Sequence, residues 1–258
     1  MWFIKKSLRK KLSTVLLLLG HGLSLYEILL GLFSVKKRTE LRKYASRVVA
    51  LNRYGIKFSN KIGVGEVIVD KIYTQYNDFI PSEYDTVIDA GAQYGDYSIL
   101  CEKYYGANVI AFEPLSSNFT IFRENVKLNK LTTKKFKLYN IALGNKTKKI
   151  EISYSNDMAN NTNSGSKQIV MMRRLDSLKL KPTILKIDVE GFEIEVLKGA
   201  MQTIKKNHPK IIIETHSLKL KKEVLRILKS LDYSVVHEGR VVTSDLPKMD
   251  IVQNLFLY

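Results

Sequence analysis

The chain has 258 residues, carries 42 Lys or Arg against 25 Asp or Glu for a formal net charge of +17, and is 45% hydrophobic, so it can bury a sizeable core as one medium domain with an appendage. The single cysteine, Cys101, excludes an internal disulfide framework and a cysteine-rich zinc site, and it suits a reducing, cytoplasmic compartment. The charge is lopsided: residues 1–60 hold 13 basic and two acidic residues, a net +11, which leaves +6 for the other 198 residues and weakens the reading of the main domain as a nucleic-acid surface.

Residues 1–45 form a basic, leucine-rich segment expected to be helical. Its apolar stretch Leu12–Phe33 has basic clusters on both sides and is broken by Gly20, His21, Gly22 and Glu27. A spanning helix needs about 20 mostly apolar residues, and these breaks argue against one. The basic start matches a signal peptide, but no small-residue cleavage pattern follows. The segment is expected either to pack its leucines on the main domain or to lie on an anionic membrane surface, Lys and Arg beside Leu and Trp2. A membrane anchor and a signal peptide are the rival readings. Residues 46–80 read as a lead-in helix and a β-hairpin, from short β-branched runs broken by glycines.

From Tyr84 onward strands and helices alternate. "DTVIDAGA" is a strand entering a glycine turn, "YSILCEKYY" a helix and "NVIAFEP" a second strand. "NFTIFRENVKLNKL" is a helix with Phe119, Phe122, Val126 and Leu128 as its apolar residues. "FKLYNIALG" is a third strand, "SNDMANNTNSGSKQ" a polar loop and "KPTILKIDVEG" a fourth strand followed by a helix. "PKIIIETH" is a fifth strand and Lys219–Leu231 a helix. "YSVVHE" and "IVQNLFLY" are closing strands with no helix between them, so one runs antiparallel. Continuous apolar strands alternating with helices imply an α/β doubly wound, mostly parallel sheet covered on both faces.

"VIDAGAQYGDYS" carries the first chemistry. A strand delivers Asp89, and Gly91, Ala92 and Gly95 let the backbone turn tightly before a helix whose first N–H groups are free. The spacing is not Gly-x-Gly-x-x-Gly and no Walker lysine follows, so a nucleoside without pyrophosphate is expected rather than a phosphate cradle. Glu113 ends the second strand, where an acid can hold a ribose diol.

These motifs, with "AFEP" at Ala111–Pro114, "NIALGN" at Asn140–Asn145, "LDSL" at Leu175–Leu178 and "LKIDVEGFE" at Leu185–Glu193, resemble the FkbM family of S-adenosylmethionine-dependent methyltransferases over roughly Arg53–Glu214. The resemblance implies a class I methyltransferase fold, Rossmann-like, with a seven-stranded sheet holding one antiparallel strand, over residues 81–258. It implies that Asp89, Gly91, Ala92, Gly95 and Ser98 line the methionine side of S-adenosylmethionine. Glu113, next to Pro114, would take the ribose hydroxyls, and Asn140–Ala142 would sit by the adenine. Gln93 stands where the family usually has Asn, a longer amide at a cofactor position.

Lys186, Asp188 and Glu190 alternate on one strand face, and a neighbouring strand supplies Glu214 and His216. Such a cluster at the strand ends marks a site. Two schemes for methyl transfer to a hydroxyl stay open. In one, Asp188 or His216 takes the proton, with Lys186 fixing Asp188 and Glu190 and Glu214 holding acceptor hydroxyls. In the other, Asp188, Glu190 and Glu214 hold a divalent metal that lowers the hydroxyl pKa. Glu193 and Glu195 are read as first-turn residues that favour the helix dipole, with Ile194, Leu197, Met201 and Ile204 as the buried stripe. The expected acceptor is a hydroxyl of a sugar, glycan, glycolipid or related small molecule. The rivals are an RNA or protein methyltransferase and a non-catalytic membrane-associated module, and nucleic acid is the weaker partner.

Overall fold

The computed structural model describes residues 53–59, 67–68, 71–154, 166–240 and 253–258. The leucine-rich segment 1–45 lies outside them, as do residues 46–52, 60–66 and 69–70 of the expected lead-in region. Of 46–80 the structure describes a helical turn at Arg53–Tyr54, a helical pair at Val67–Ile68 and a 3-10 turn at Asn77–Phe79.

In chain order follow β1 (Thr86–Ala90), α1 (Asp96–Lys103), β2 (Asn108–Phe112), α2 (Ser116–Leu128), β3 (Phe136–Tyr139), β4 (Ala142–Leu143), β5 (Lys148–Tyr154) and β6 (Ser166–Arg173). Then come β7 (Ile184–Ile187), α3 (Glu193–Asn207), β8 (Lys210–Thr215), α4 (Leu218–Lys229), β9 (Val235–Arg240) and β10 (Gln253–Leu257). Seven strands form one sheet in the order β3-β2-β1-β7-β8-β10-β9. Five run parallel as neighbours, and β10 lies antiparallel between β8 and β9. This is the class I methyltransferase arrangement that the sequence leads one to expect.

The central strands carry apolar residues on both faces because both are covered. On one face Val87, Val109, Ile184 and Ile212 pack with Tyr97, Leu100 and Cys101 of α1, Phe122 of α2, and Tyr73. On the other, Ile88, Ile110, Leu185, Ile187, Ile211 and Ile213 meet Val196, Leu197, Ala200 and Ile204 of α3 and Val224 and Leu228 of α4. Burying each such side chain contributes roughly 1.5–3 kcal/mol relative to leaving it in water.

Four local expectations are corrected. "FKLYNIALG" is not one strand: β3 stops at Tyr139, and Ala142–Leu143 joins a second, three-stranded sheet of order β4-β6-β5. Its β5 and β6 are an antiparallel pair that polar, alternating sequence conceals, since only one face packs inward on Ala142, Val170 and Met172. The polar loop therefore ends before Ser166, and residues 155–165 lie outside the described set. In α2, Leu128 is 45% exposed, and Phe122 and Asn125 are the buried residues. In α3 the buried stripe is Val196, Leu197, Ala200, Thr203 and Ile204, with Ile194 and Met201 at its half-buried margins. Among the described residues no helix is long and apolar enough to cross a membrane.

Candidate active site at the strand ends

The site forms where β1, β2, β7 and β8 end, on the face that carries Tyr73 and Tyr97. Parallel pairing sets Asp89 directly beside Lys186, so their side chains meet on one face. Lys186 Nζ lies 3.1 Å from Asp89 Oδ1, donates to the Gly91 carbonyl at 2.9 Å and reaches Asp188 Oδ2 at 3.6 Å. The Lys186 side chain is 4% exposed and that of Asp89 is 0% exposed. Burial alone would lower the lysine pKa, but Asp89 and then Asp188 hold the ammonium well above its ordinary range.

The turn after β1 is built on close approach. Gly91 has φ +79, and a Cβ there would lie 1.7 Å from the Asp188 carbonyl oxygen. Gly95 has φ +85 and caps α1, and a Cβ there would strike the Phe122 ring at 1.9 Å. Only glycine meets both demands. Gly95 offers no side-chain cap, and Asp96 Oδ1 instead takes the Tyr97 N–H of the first turn of α1 at 3.0 Å. Ala92 and Gly91 donate their N–H groups to the Phe112 carbonyl, which ties the turn to β2.

Glu113, past the end of β2, is 4% exposed. Its Oε2 accepts from Gln93 N–H at 2.9 Å, and Oε1 accepts from Leu115 N–H at 2.9 Å and Asn118 Nδ2 at 3.4 Å. The first of these bonds holds Gln93 at φ +48, a conformation non-glycine residues rarely take. A carboxylate has about four acceptor positions, so one is left for a ribose hydroxyl. Burial pushes the Glu113 pKa up to about 7 against these donors.

Asn140 donates Nδ2 to the Glu113 and Pro114 carbonyls and so ties the end of β3 to that of β2. Ser98 is fully buried and donates to Asp89 Oδ2 at 2.7 Å, while Ala142 packs inside the small sheet. Both shape the region from behind. A glycine-lined turn, beside a buried carboxylate with acceptor capacity to spare, fits the methionine and ribose parts of S-adenosylmethionine.

The second group lies beyond β7 and β8. The strand β7 ends at Ile187, so strict alternation does not carry Glu190 to the face of Lys186. Glu190 instead sits in a turn at φ +53, its side chain 85% exposed, and that turn brings its Oε2 to 3.6 Å from His216 Nε2. Asp188 Oδ1 and Glu214 Oε1 lie 3.7 and 3.8 Å from the same nitrogen. These gaps are too long for hydrogen bonds. The Asp188 contact, with help from Glu190 and Glu214, raises the His216 pKa to about 9 against burial. Burial pushes Asp188 up, yet Lys186, His216 and Tyr73 hold it down to about 2, while burial and the Asp188 charge push Glu214 up to about 8. Asp188, Glu214 and His216 each offer a donor atom within 4.8 Å of one another, so this trio, with His216 in place of the expected Glu190, could also hold a divalent cation.

Glu193 differs from its expected role. It is fully buried, and its Oε1 accepts from the Val189 and Gly191 N–H groups, bracing the loop that carries Asp188 and Glu190. Glu195 pairs with Lys198 at 2.8 Å on the surface. Two groups escape sequence reasoning. Tyr73 donates to Asp188 Oδ2 at 2.8 Å across 115 residues of chain, and no local spacing announces it. Asp96, buried in the first turn of α1, has its pKa pushed up to about 7 by burial, and a first-turn acid reads as an ordinary dipole partner.

The Methyltransferase FkbM domain family matches residues 89–235, more than half the chain. The hexuronic acid methyltransferase AglP of Haloferax volcanii is 29% identical over 160 residues, 59% of this chain and 64% of that protein. Methyltransferase 1 of Beauveria bassiana is 25% identical over 166 residues, 52% of this chain and 64% of that protein. The matches thus span just under two thirds of each relative's length. The crystal structure of methyltransferase FkbM from Methylobacillus flagellatus shares the fold, with TM-score 0.52 and 17% identity over 83% of this chain and 60% of that one.

Proposed function

This chain belongs to the FkbM methyltransferase domain family, and from that premise we propose that it transfers a methyl group from S-adenosylmethionine to a hydroxyl oxygen of a sugar, glycan, glycolipid or related small molecule. The observation that carries the reading is Lys186: one buried ammonium pairs with Asp89 at the cofactor turn and with Asp188 at the acid–base cluster, which sets the two groups side by side. The similarity to AglP, named for a hexuronic acid, supports a sugar acceptor.

The cofactor, when bound, supplies an electrophilic methyl carbon on a sulfonium. The acceptor O–H must give up its proton as its oxygen bonds to that carbon. His216 is the base. Three carboxylates gather around Nε2, which keeps a proton there and leaves Nδ1 as the nitrogen that takes the acceptor's proton. Asp188 stabilises the resulting imidazolium, as an ion-paired carboxylate does in other His-based sites. The exposed Glu190 accepts hydrogen bonds from neighbouring hydroxyls of the acceptor.

The test is transfer of a labelled methyl group to a panel of glycans, lipid-linked saccharides, RNA and protein. Label in a saccharide, lost in His216→Ala, supports the reading. Label in RNA or protein alone overturns the acceptor class. The same assay in chelator separates the two schemes: activity that persists fits the His216 base, and activity lost in chelator and restored by Mg²⁺ or Mn²⁺ would move catalysis to a cation at Asp188, Glu214 and His216.

The basic residues 1–45 lead us to propose peripheral attachment of a cytoplasmic enzyme to an anionic membrane, with a lipid-linked acceptor. Co-sedimentation of the full chain with phosphatidylserine vesicles, weakening with salt, is the expected result. Equal binding to neutral vesicles would contradict it.

A further inference from the structure

Four buried amide side chains stand among the described residues: Asn125, Asn129, Gln253 and Asn254. Three are paired at both ends. Asn125 Oδ1 accepts from the Ser59 N–H at 2.8 Å, and its Nδ2 donates to the Tyr94 carbonyl at 2.9 Å. Asn129 Oδ1 accepts from the Lys57 N–H at 2.9 Å, and its Nδ2 donates to the Asn125 carbonyl at 2.8 Å. Gln253 Oε1 accepts from Lys221 Nζ at 2.9 Å, and its Nε2 donates to Glu238 Oε2 at 2.6 Å. Asn254 is the exception. It is 1% exposed, and neither its Oδ1 nor its Nδ2 has a partner. Turning the amide over would change nothing, since both ends are unpaired. A buried polar group without a partner is costly, and native chains keep few of them.

The place of Asn254 in the sheet says what the amide is for. On β10 it stands opposite Glu214 of β8 on one side and Gly239 of β9 on the other. Directly opposed residues share a face, with Cβ atoms about 4.5–5.5 Å apart. Asn254 therefore forms one row with Glu214, on the face of the acid–base cluster. That row runs away from the cofactor turn, because β10 and β9 lie on the far side of β8 from β1. An acceptor that brings its reacting oxygen to His216 finds the glycine turn and Glu113 over β1 and β2, so the rest of it lies over β10 and β9. Gly239 clears the outer end of the row: a Cβ there would lie 2.1 Å from Gln75 Nε2. Gln75 is exposed, and that nitrogen donates to the Ile72 carbonyl at 3.3 Å. The space beside Asn254 is thus filled by the end of a surface side chain, which a ligand can displace.

We propose that Asn254 is an acceptor-binding residue, whose amide takes two neighbouring hydroxyls of a saccharide, one through Oδ1 and one through Nδ2. The inference rests on the reading of the chain as a saccharide methyltransferase. An amide offers an acceptor and a donor side by side, and a vicinal diol answers with a donor and an acceptor. Asn254 lies beyond residues 89–235, which the family domain matches.

The first experiment needs no acceptor. Asn254→Leu and Asn254→Val replace the amide by apolar side chains of two sizes. With no bond to lose, at least one variant should match or exceed the wild-type urea midpoint. A lowered midpoint in both would show an amide that holds the fold together, and would overturn the proposal while leaving the proposed activity standing. The second experiment uses methyl transfer to a saccharide of the panel above, a glucuronide being the first tried. The more stable variant should bind S-adenosylhomocysteine with a Kd within about twofold of wild type, while its KM for the saccharide rises on the order of tenfold or more. An unchanged KM would overturn the proposal. Wild type that labels no saccharide would overturn the functional reading, and the acceptor role of Asn254 with it, whatever the midpoints show.

Discussion

Lys186→Met lowers the stability of the fold by about 3–5 kcal/mol, read as a lower urea midpoint with an unchanged slope. The size follows from what remains. Asp89 is fully buried, and without the ammonium its carboxylate keeps, among the described residues, only the Ser98 hydroxyl. The Gly91 carbonyl and Asp188 lose the same partner. Methionine nearly fills the space, so the loss measures an uncompensated charge rather than a cavity. Asp89→Asn in the same chain should restore part of it, because the residue left behind is then neutral. The two changes share a contact and are not additive. A loss under about 1 kcal/mol would mean that the pair is solvated in solution and that Lys186 does not join the two halves of the site.

His216→Ala lowers kcat by about 10²–10⁴, the range that a positioned base contributes. The pH dependence carries the sign. His216 is held protonated up to about 9 by Asp188 and its acidic neighbours, and the protonated ring cannot take the acceptor's proton. The wild-type rate should therefore climb from about pH 7 to about pH 9 and level off above it. Glu214 titrates near 8 in the same window, so the variants decide. The climb should persist in Glu214→Gln and vanish in His216→Ala. A rate that is flat across that window in wild type would point to Asp188, which is ionised throughout.

What the sequence discloses depends on how local the physics is. The apolar runs of β1, β2, β7 and β8 are covered on both faces, so they stand out, and with them the mostly parallel character of the large sheet. The glycine turn and Glu113 are legible because a tight backbone needs glycine and strand ends are few. The small sheet of β4, β5 and β6 is hidden because its strands bury one face and alternate with Lys, Gln and Glu. Lys186 and Asp188 are legible as neighbours, but the partnership of Lys186 with Asp89 depends on strand register, which sequence alternation does not supply. Glu190 reaches His216 for a different reason than alternation offered, through a left-handed turn beyond the strand. Tyr73 was illegible because its partners lie 115 and 141 residues away, and Glu193 because a buried loop brace and an exposed dipole partner look alike in sequence.

The central claim is the cofactor site, and calorimetric titration of S-adenosylhomocysteine into the full chain, beside Glu113→Ala, tests it most directly. The account predicts binding by the parent near micromolar Kd, about −8 kcal/mol, and a loss of at least about tenfold in the variant. No binding by the folded parent would contradict the account, and would leave a family member that keeps the fold without the chemistry.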